Sequence, residues 1–304
     1  MNTRNEDAAL IEIFREVYKG KLFVFVVVVL FSILSVAYSL SLTDKYKSDI
    51  LLTPSNQANS SKLSSSQLGG LAAMAGFQLG GSEVNKSQLA LEILKSRAFI
   101  TQFIYRHQLK VPLMAVDGWD MMTGKLSYDP DLYDYQSGEW VREVKPPLSS
   151  EPSSQEAYEA FKEILTIEEQ RDTGFVKVSL VHPSPVISST WLSMLIQDLN
   201  KYMKELDKEE AEKSLAFLEH YLENTLVEAV RLAVYQLIEE QTKTLMLSSI
   251  QDEYSFKVID PPVVSEKKDS PKRALICITG FLLGCILSIF LIVFRYLYLQ
   301  MRSS

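Results

Sequence analysis

Residues 270–296 read SPKRALICITGFLLGCILSIFLIVFRY. Pro271 and the pair Lys272-Arg273 open the stretch, and residues 274–294 then run for 21 positions without a charge. A helix of that length is about 31 Å long, which matches a hydrocarbon core of about 30 Å. A second stretch of the same kind, LFVFVVVVLFSILSVAYSLSL, occupies residues 22–42. A cleaved signal peptide would have a shorter apolar run and a small-x-small site after it, and none precedes Asp44-Lys45-Tyr46. The expectation is two transmembrane helices, with both termini on one side of the membrane and residues 43–273 on the other.

Charge does not say which side. The segments near the termini carry six lysines and arginines, against seven at the two ends of the loop, so the positive-inside rule is silent. The balance within the loop says more. The first 21 residues are neutral, the last ten carry +2, and the loop therefore carries −9 of a total of −7. A loop this acidic does not suit nucleic acid, nor an anionic lipid surface. The only cysteines, Cys277 and Cys285, lie within the second apolar stretch, so the loop offers no disulfide and no thiolate; Cys in such a helix acts as a small hydrophobe.

Along the loop, YKSDILLT (46–53) predicts a strand. Residues 54–87 are rich in Ser, Gly, Asn and Gln, the composition of a flexible segment; no glycine there is followed by lysine, so it is not a P-loop. SQLALEILKSRAFITQFIYRH (87–107) predicts one helix. Residues 114–150 are turn-rich and carry Trp119, Trp140 and several tyrosines, where a carbohydrate platform competes with ordinary packing of a surface insertion. Ser153 and Glu156 form a capping box that opens a short helix to about residue 164. Residues 165–181 read as a hairpin turning at Asp172-Thr173-Gly174, and YSFKVID (254–260) as a last strand. These elements predict an α/β base.

Ser184-Pro185 reads as an N-cap with proline at the first helical position, and no glycine or proline occurs from Val186 to Asp260. One helix over 186–250 would be about 97 Å long, against a radius of gyration of about 17 Å for a compact domain of that loop's size. Its two ends adjoin strands of the base, so the segment must fold back. Asn224 tolerates a left-handed C-terminal position and Thr225 with Glu228 offers a second capping box, which places the turn there. The prediction is a helical hairpin with arms of about 38 and 25 residues. Leu215, Leu218 and Leu222 on one arm and Leu226, Val230, Val234 and Leu237 on the other form apolar stripes, part of which should meet neighbouring subunits.

Catalytic patterns are missing from the sequence. His107, His182 and His220 show no ligand spacing, and neither G-x-S-x-G nor H-E-x-x-H occurs. Glu239-Glu240 is a solvated pair on a helix rather than an acid/base dyad. No enzyme, metal or cofactor is expected.

The layout and several stretches resemble the chain-length determinant (Wzz) family of polysaccharide co-polymerases. They are KYKSDILLTP, SQLALEILKSRAFI, QLIEEQTKTLM and FKVIDPPVVSEKKDSPKRALI leading into a glycine-containing span. The resemblance implies a bacterial inner-membrane protein with cytoplasmic termini, a periplasmic loop, and rings of subunits whose helical spikes form a bell. It also implies that the proline- and glycine-rich second span is functional, which here means Pro261, Pro262, Pro271, Gly280 and Gly284. Physically, Gly280-x-x-x-Gly284 lets another helix approach closely in lipid, the partner being a sister subunit or the polymerase.

The resulting expectation is an α+β membrane protein. Its parts are a cytoplasmic N-terminus (1–21), a first span (22–42), a periplasmic domain (43–273), a second span (274–294) and a cytoplasmic tail (295–304). Within the periplasmic domain, residues 43–185 and 251–262 form the base and 186–250 the hairpin. Its partners would be membrane lipid, other copies of itself, a Wzy-type polymerase and a lipid-linked polysaccharide, foremost O-antigen. Two departures from the family stand out. The spike is short for the O-antigen regulators, and residues 295–304 carry none of the tyrosine kinase found in exopolysaccharide co-polymerases. An adaptor that activates a separate cytoplasmic tyrosine kinase is therefore the alternative function, and a periplasmic glycan-acting enzyme a third.

Overall fold

The computed structural model describes residues 21–55, 86–170, 172–224 and 227–303. They form two compact units: the first comprises the chain up to Lys45 together with Lys268–Ser304, the second Tyr46–Lys267.

The first unit is a pair of helices. Helix α1, Lys21–Ser41, and helix α8, Arg273–Ser303, are apolar around most of their circumference. Leu22, Phe25, Ile33, Ile278 and Ile286 are among many large side chains left exposed. Such a surface is stable only in lipid, and both helices are long enough to cross a membrane.

The second unit is built on a four-stranded sheet of order β6-β7-β1-β8, antiparallel throughout. Its strands are β1 (Tyr46–Pro54), β6 (Leu165–Glu169), β7 (Val176–His182) and β8 (Phe256–Asp260). Alternation along β1 sends Ser48, Ile50 and Leu52 to one face, and the register sets them opposite Leu180, Val178 and Val176. This face is the core side. The first half of α6 (Pro185–Asn224) adds Trp191, Leu192, Leu195, Ile196, Leu199 and Met203 to the same core. Helices α2 (Lys86–Lys95), α3 (Arg97–Arg106), the short α4 (Lys110–Met114) and α5 (Ser154–Ile164) complete this α+β base.

The single helix expected over 87–107 is two helices. Ser96 is extended, with φ −68° and ψ 142°, and its Oγ accepts from the Phe99 amide at 3.3 Å. A serine that caps its own downstream turn competes with helix continuation. The break lets Ala90, Leu91 and Leu94 of α2 and Phe99, Ile100, Phe103 and Ile104 of α3 enter the same core. The last strand also starts later than expected, at Phe256. The Asn200 carboxamide accepts from the Ser255 and Phe256 amides at 2.9 and 3.0 Å and donates to the Phe256 carbonyl at 2.9 Å. Tyr254 meanwhile donates its hydroxyl to Asp207 at 2.6 Å. The capping box at Ser153 and Glu156 is present, with bonds of 3.2 and 2.9 Å.

The turn-rich insertion forms two small hairpins. Strand β2 (Val116–Trp119) pairs with β3 (Leu126–Tyr128), and β4 (Tyr133–Asp134) with β5 (Glu139–Trp140). The flexible segment expected at 54–87 lies for the most part outside the described residues, although Lys86 and Ser87 already belong to α2.

Helix α6 starts as its sequence predicts, with Ser184 Oγ accepting from the Ile187 amide and Pro185 in the first helical position. It runs for 40 residues, and α7 (Glu228–Ile250) returns over 23 and packs along it. The N-cap of α7 is Val227, with no side-chain cap bond, so the Thr225–Glu228 box does not start it; Thr225 and Leu226 lie outside the described residues. The stripe on α7 also shifts. Val234 and Ser248 are buried with Ile238, Gln241 and Leu245 half-buried between them, a spacing of about 3.5 residues typical of a two-helix seam, whereas Leu237 faces out.

Candidate functional site

The sequence singled out five residues. Pro261 and Pro262 lie in the loop unit just past β8, where two residues without amide donors end the pairing of this edge strand with β1. Pro271, Gly280 and Gly284 lie in the helix pair.

The glycines meet the chain's own first span. A Cβ placed on Gly280 would lie 2.5 Å from both Cβ and Oγ of Ser35. On Gly284 it would lie 3.0 Å from Phe31 Cβ and 3.2 Å from Val28 Cα. Any side chain at position 280 would therefore force the helices apart. The close approach permits an interhelical hydrogen bond, in which Ser35 Oγ donates to the Ile276 carbonyl at 2.8 Å. In a bilayer core there is no water to offer that carbonyl a second partner. Ser288, fully buried one turn beyond Gly284, turns its hydroxyl back to the Cys285 carbonyl at 2.8 Å. Within the single chain, α1 is the element that lies against the glycine face.

Polar groups close the helix pair at one end. The Asp44 carboxylate, three residues after α1, accepts from Arg273 at 2.9 Å and from Lys268 at 3.3 Å. Between them Lys45 donates its amide to the Ser270 carbonyl at 2.8 Å, and Asp269 donates back to the Lys45 carbonyl at 2.9 Å. Pro271 stops this two-stranded bridge, because it has no amide, and stands two residues before α8 begins. The basic pair that precedes the span thus includes a clasp residue, Arg273.

Sequence reasoning found the glycines but missed their partners. The missed residues are Val28, Phe31 and Ser35 on α1, and Asp44 after it. A signal existed: serines at 35 and 39, with Val28 and Phe31 at helical spacing, mark one face of an otherwise uniform apolar helix.

The histidines serve the fold in separate places. His107 shares Asp198 with Arg106, at 3.0 and 3.1 Å. His182, buried, accepts the Ser184 amide at Nδ1 and donates from Nε2 to the Pro112 carbonyl at 2.9 Å. His220 stands on α6, 4.0 Å from Glu223. Among the described residues no three His, Cys, Asp or Glu side chains gather as a metal site would need.

Residues 6–107 match the family described as Wzz, chain length determinant protein. No curated protein matches the sequence significantly. Among solved structures, a full-length bacterial polysaccharide co-polymerase is 14% identical over 96% of this chain and 98% of its own, with a TM-score of 0.41. A fragment of WzzB, the polysaccharide co-polymerase from Salmonella Typhimurium, is 15% identical over 75% of this chain and 100% of its own, with a TM-score of 0.31. The family match takes in α1, β1, α2 and α3, that is, one span, an inner strand of the sheet and two core helices. Over those residues, about a third of its length, the chain is similar to the chain-length determinant family.

Proposed function

We propose that this protein is a non-enzymatic co-polymerase that limits how many repeat units a Wzy-type polymerase adds to a lipid-linked glycan, O-antigen in particular. The observation that carries the reading is the family match over residues 6–107. The pair of apolar helices and the α+β unit between them in sequence support it. In this reading the termini lie in the cytoplasm and the loop in the periplasm of a bacterial inner-membrane protein, and several copies form a ring. The hairpin has surface to offer such a ring: Phe217, Tyr221, Leu232 and Tyr235 are exposed on α6 and α7.

The glycine face of α8 is spent on α1, so the two spans act as one body and the polymerase meets an outer face of that body. Gly280, Gly284 and Pro271 then act by setting the shape of the pair. Pro261 and Pro262 set where the last strand ends. The test is the surface-polysaccharide ladder on a gel, from the source bacterium with and without the gene. A clustered band that decays to a smooth distribution on deletion, and returns with the wild-type gene, is the expected result. An unchanged ladder with reduced secreted exopolysaccharide overturns it in favour of a kinase adaptor.

A further inference from the structure

The insertion between α4 and α5 gathers four aromatic rings from its two hairpins. Tyr128 stacks on Tyr135 with centroids 5.4 Å apart and planes at 11°. Tyr133 stands edge-on to Trp140 at 5.3 Å and tilted to Tyr128 at 5.9 Å. Beside them lies an open pocket of about 420 Å³, lined also by Leu126, Pro130, Asp134 and Gln136, within the range of small-molecule sites.

Tyr135 is 74% exposed, yet its ring and its backbone are both held. Tyr128 covers one face of the ring. Asp134 fixes the turn, accepting from the Gln136 amide at 2.9 Å and the Ser137 hydroxyl at 2.8 Å, while Gly138, at φ +74°, donates to the Asp134 carbonyl at 2.8 Å. A loosely attached surface tyrosine would lose side-chain entropy on binding a ligand, and one already stacked loses less.

The surrounding charge narrows the ligand. Residues 116–141 carry six acidic side chains against the single Lys125, and no lysine or arginine lines the cavity. Phosphate, acidic sugars and anionic lipid are repelled. A wholly apolar ligand would leave the remaining acceptor capacity of the Asp134 carboxylate and the Gln136 carboxamide unused. A neutral pyranose fits both constraints. Its C–H face lies on an aromatic ring and its adjacent hydroxyls meet planar polar groups, and Asp134 has acceptor capacity beyond the two bonds it makes.

We propose that this cavity is a subsite for an uncharged pyranose unit of the growing polysaccharide, with Tyr135 as the stacking platform and Asp134 and Gln136 reading hydroxyls. The assignment rests on the length-control reading and gives that reading a place where the chain is held. The probe is the surface polysaccharide of the producing cell, freed of lipid by mild acid. Its binding to the full-length protein in detergent is followed by saturation-transfer NMR and by fluorescence. Wild type and Tyr135→Phe should bind, and Tyr135→Ala should bind about tenfold more weakly or worse. No binding by wild type, equal binding by Tyr135→Ala, or a site that takes only acidic glycans or proline-rich peptides overturns the subsite. The ladder separates this from failure of the wider reading. A gene-dependent ladder with no binding removes the subsite alone, whereas a ladder indifferent to the gene removes length control.

Discussion

Position 280 is the residue at which the account of the spans is most exposed to test. If Gly280 matters because Ser35 lies against it, then Gly280→Ala should destabilise the pair by about 1–3 kcal/mol of overpacking. Ser35→Gly, introduced together with it, should restore most of the loss by moving the space to the other helix. The loss of the Ser35 hydrogen bond to Ile276 limits the rescue by only about 0.6 kcal/mol. The thermal midpoint in detergent and the polysaccharide ladder should follow the same order. A glycine that faced a polymerase would show no rescue. Glu156 offers a test at the same scale. Bidentate bonds from Arg142 at 2.7 and 3.0 Å, helped by the Ser153 amide, pull its carboxyl from 4.5 down to about 2. A depressed carboxylate adds stability that is complete above the unfolded value and is lost as pH falls through the folded one. Stability at this helix start should therefore be level above about pH 4.5 and decline from there toward pH 2. Arg142→Met should move the Glu156 carboxyl resonance upward on the pH axis in NMR, and an unmoved titration would show that the guanidinium is not the cause.

At the scale of elements, the clearest prediction concerns how α6 is tied to β8. Asn200→Leu would leave two amides and one carbonyl at Ser255 and Phe256 without their partner in a buried place. A loss of at least about 2 kcal/mol is expected, read as a lower urea midpoint of the loop unit within the full-length protein. If the midpoint does not move, the last strand is held by its pairing with β1 alone. That bond also shows where the sequence was legible and where it was not. Apolar runs, the Ser153 box, Ser184-Pro185 and the Asp172-Thr173-Gly174 turn are local signals, and each produced the element expected of it. Asn200 meets Ser255 and Phe256, and Asp207 meets Tyr254, only in the folded chain, so the start of β8 could not be read from its own residues. Ser96 is the intermediate case. Its capping bond is local, but the helical pattern on both sides masks the break. Leu237 shows the same limit on α7, where the phase of the seam comes from the arm it packs on. In the candidate site the glycines were legible by composition, whereas Ser35, Phe31 and Asp44 became meaningful only with α1 beside α8.

For the whole molecule, topology and assembly belong together. The proposed orientation predicts that alkaline phosphatase inserted within residues 56–85 is active and that the same enzyme fused after Ser304 is not; the reverse pattern would invert the protein in the membrane. Assembly should depend on the outer face of the hairpin. Phe217 is 67% exposed and stacks only on Tyr221 of its own helix, with rings 6.3 Å apart, among the described residues. Phe217→Glu should leave the monomer folded, since no core side chain is lost, and reduce the oligomer mass in detergent. An oligomer of unchanged mass would place the subunit contact elsewhere. The most direct measurement of all uses purified components: lipid-linked repeat units, the Wzy-type polymerase, and this protein added or withheld, with product lengths resolved on a gel. The account predicts a smooth decay of lengths without the protein and a clustered band with it. The same decay in both lanes would contradict it.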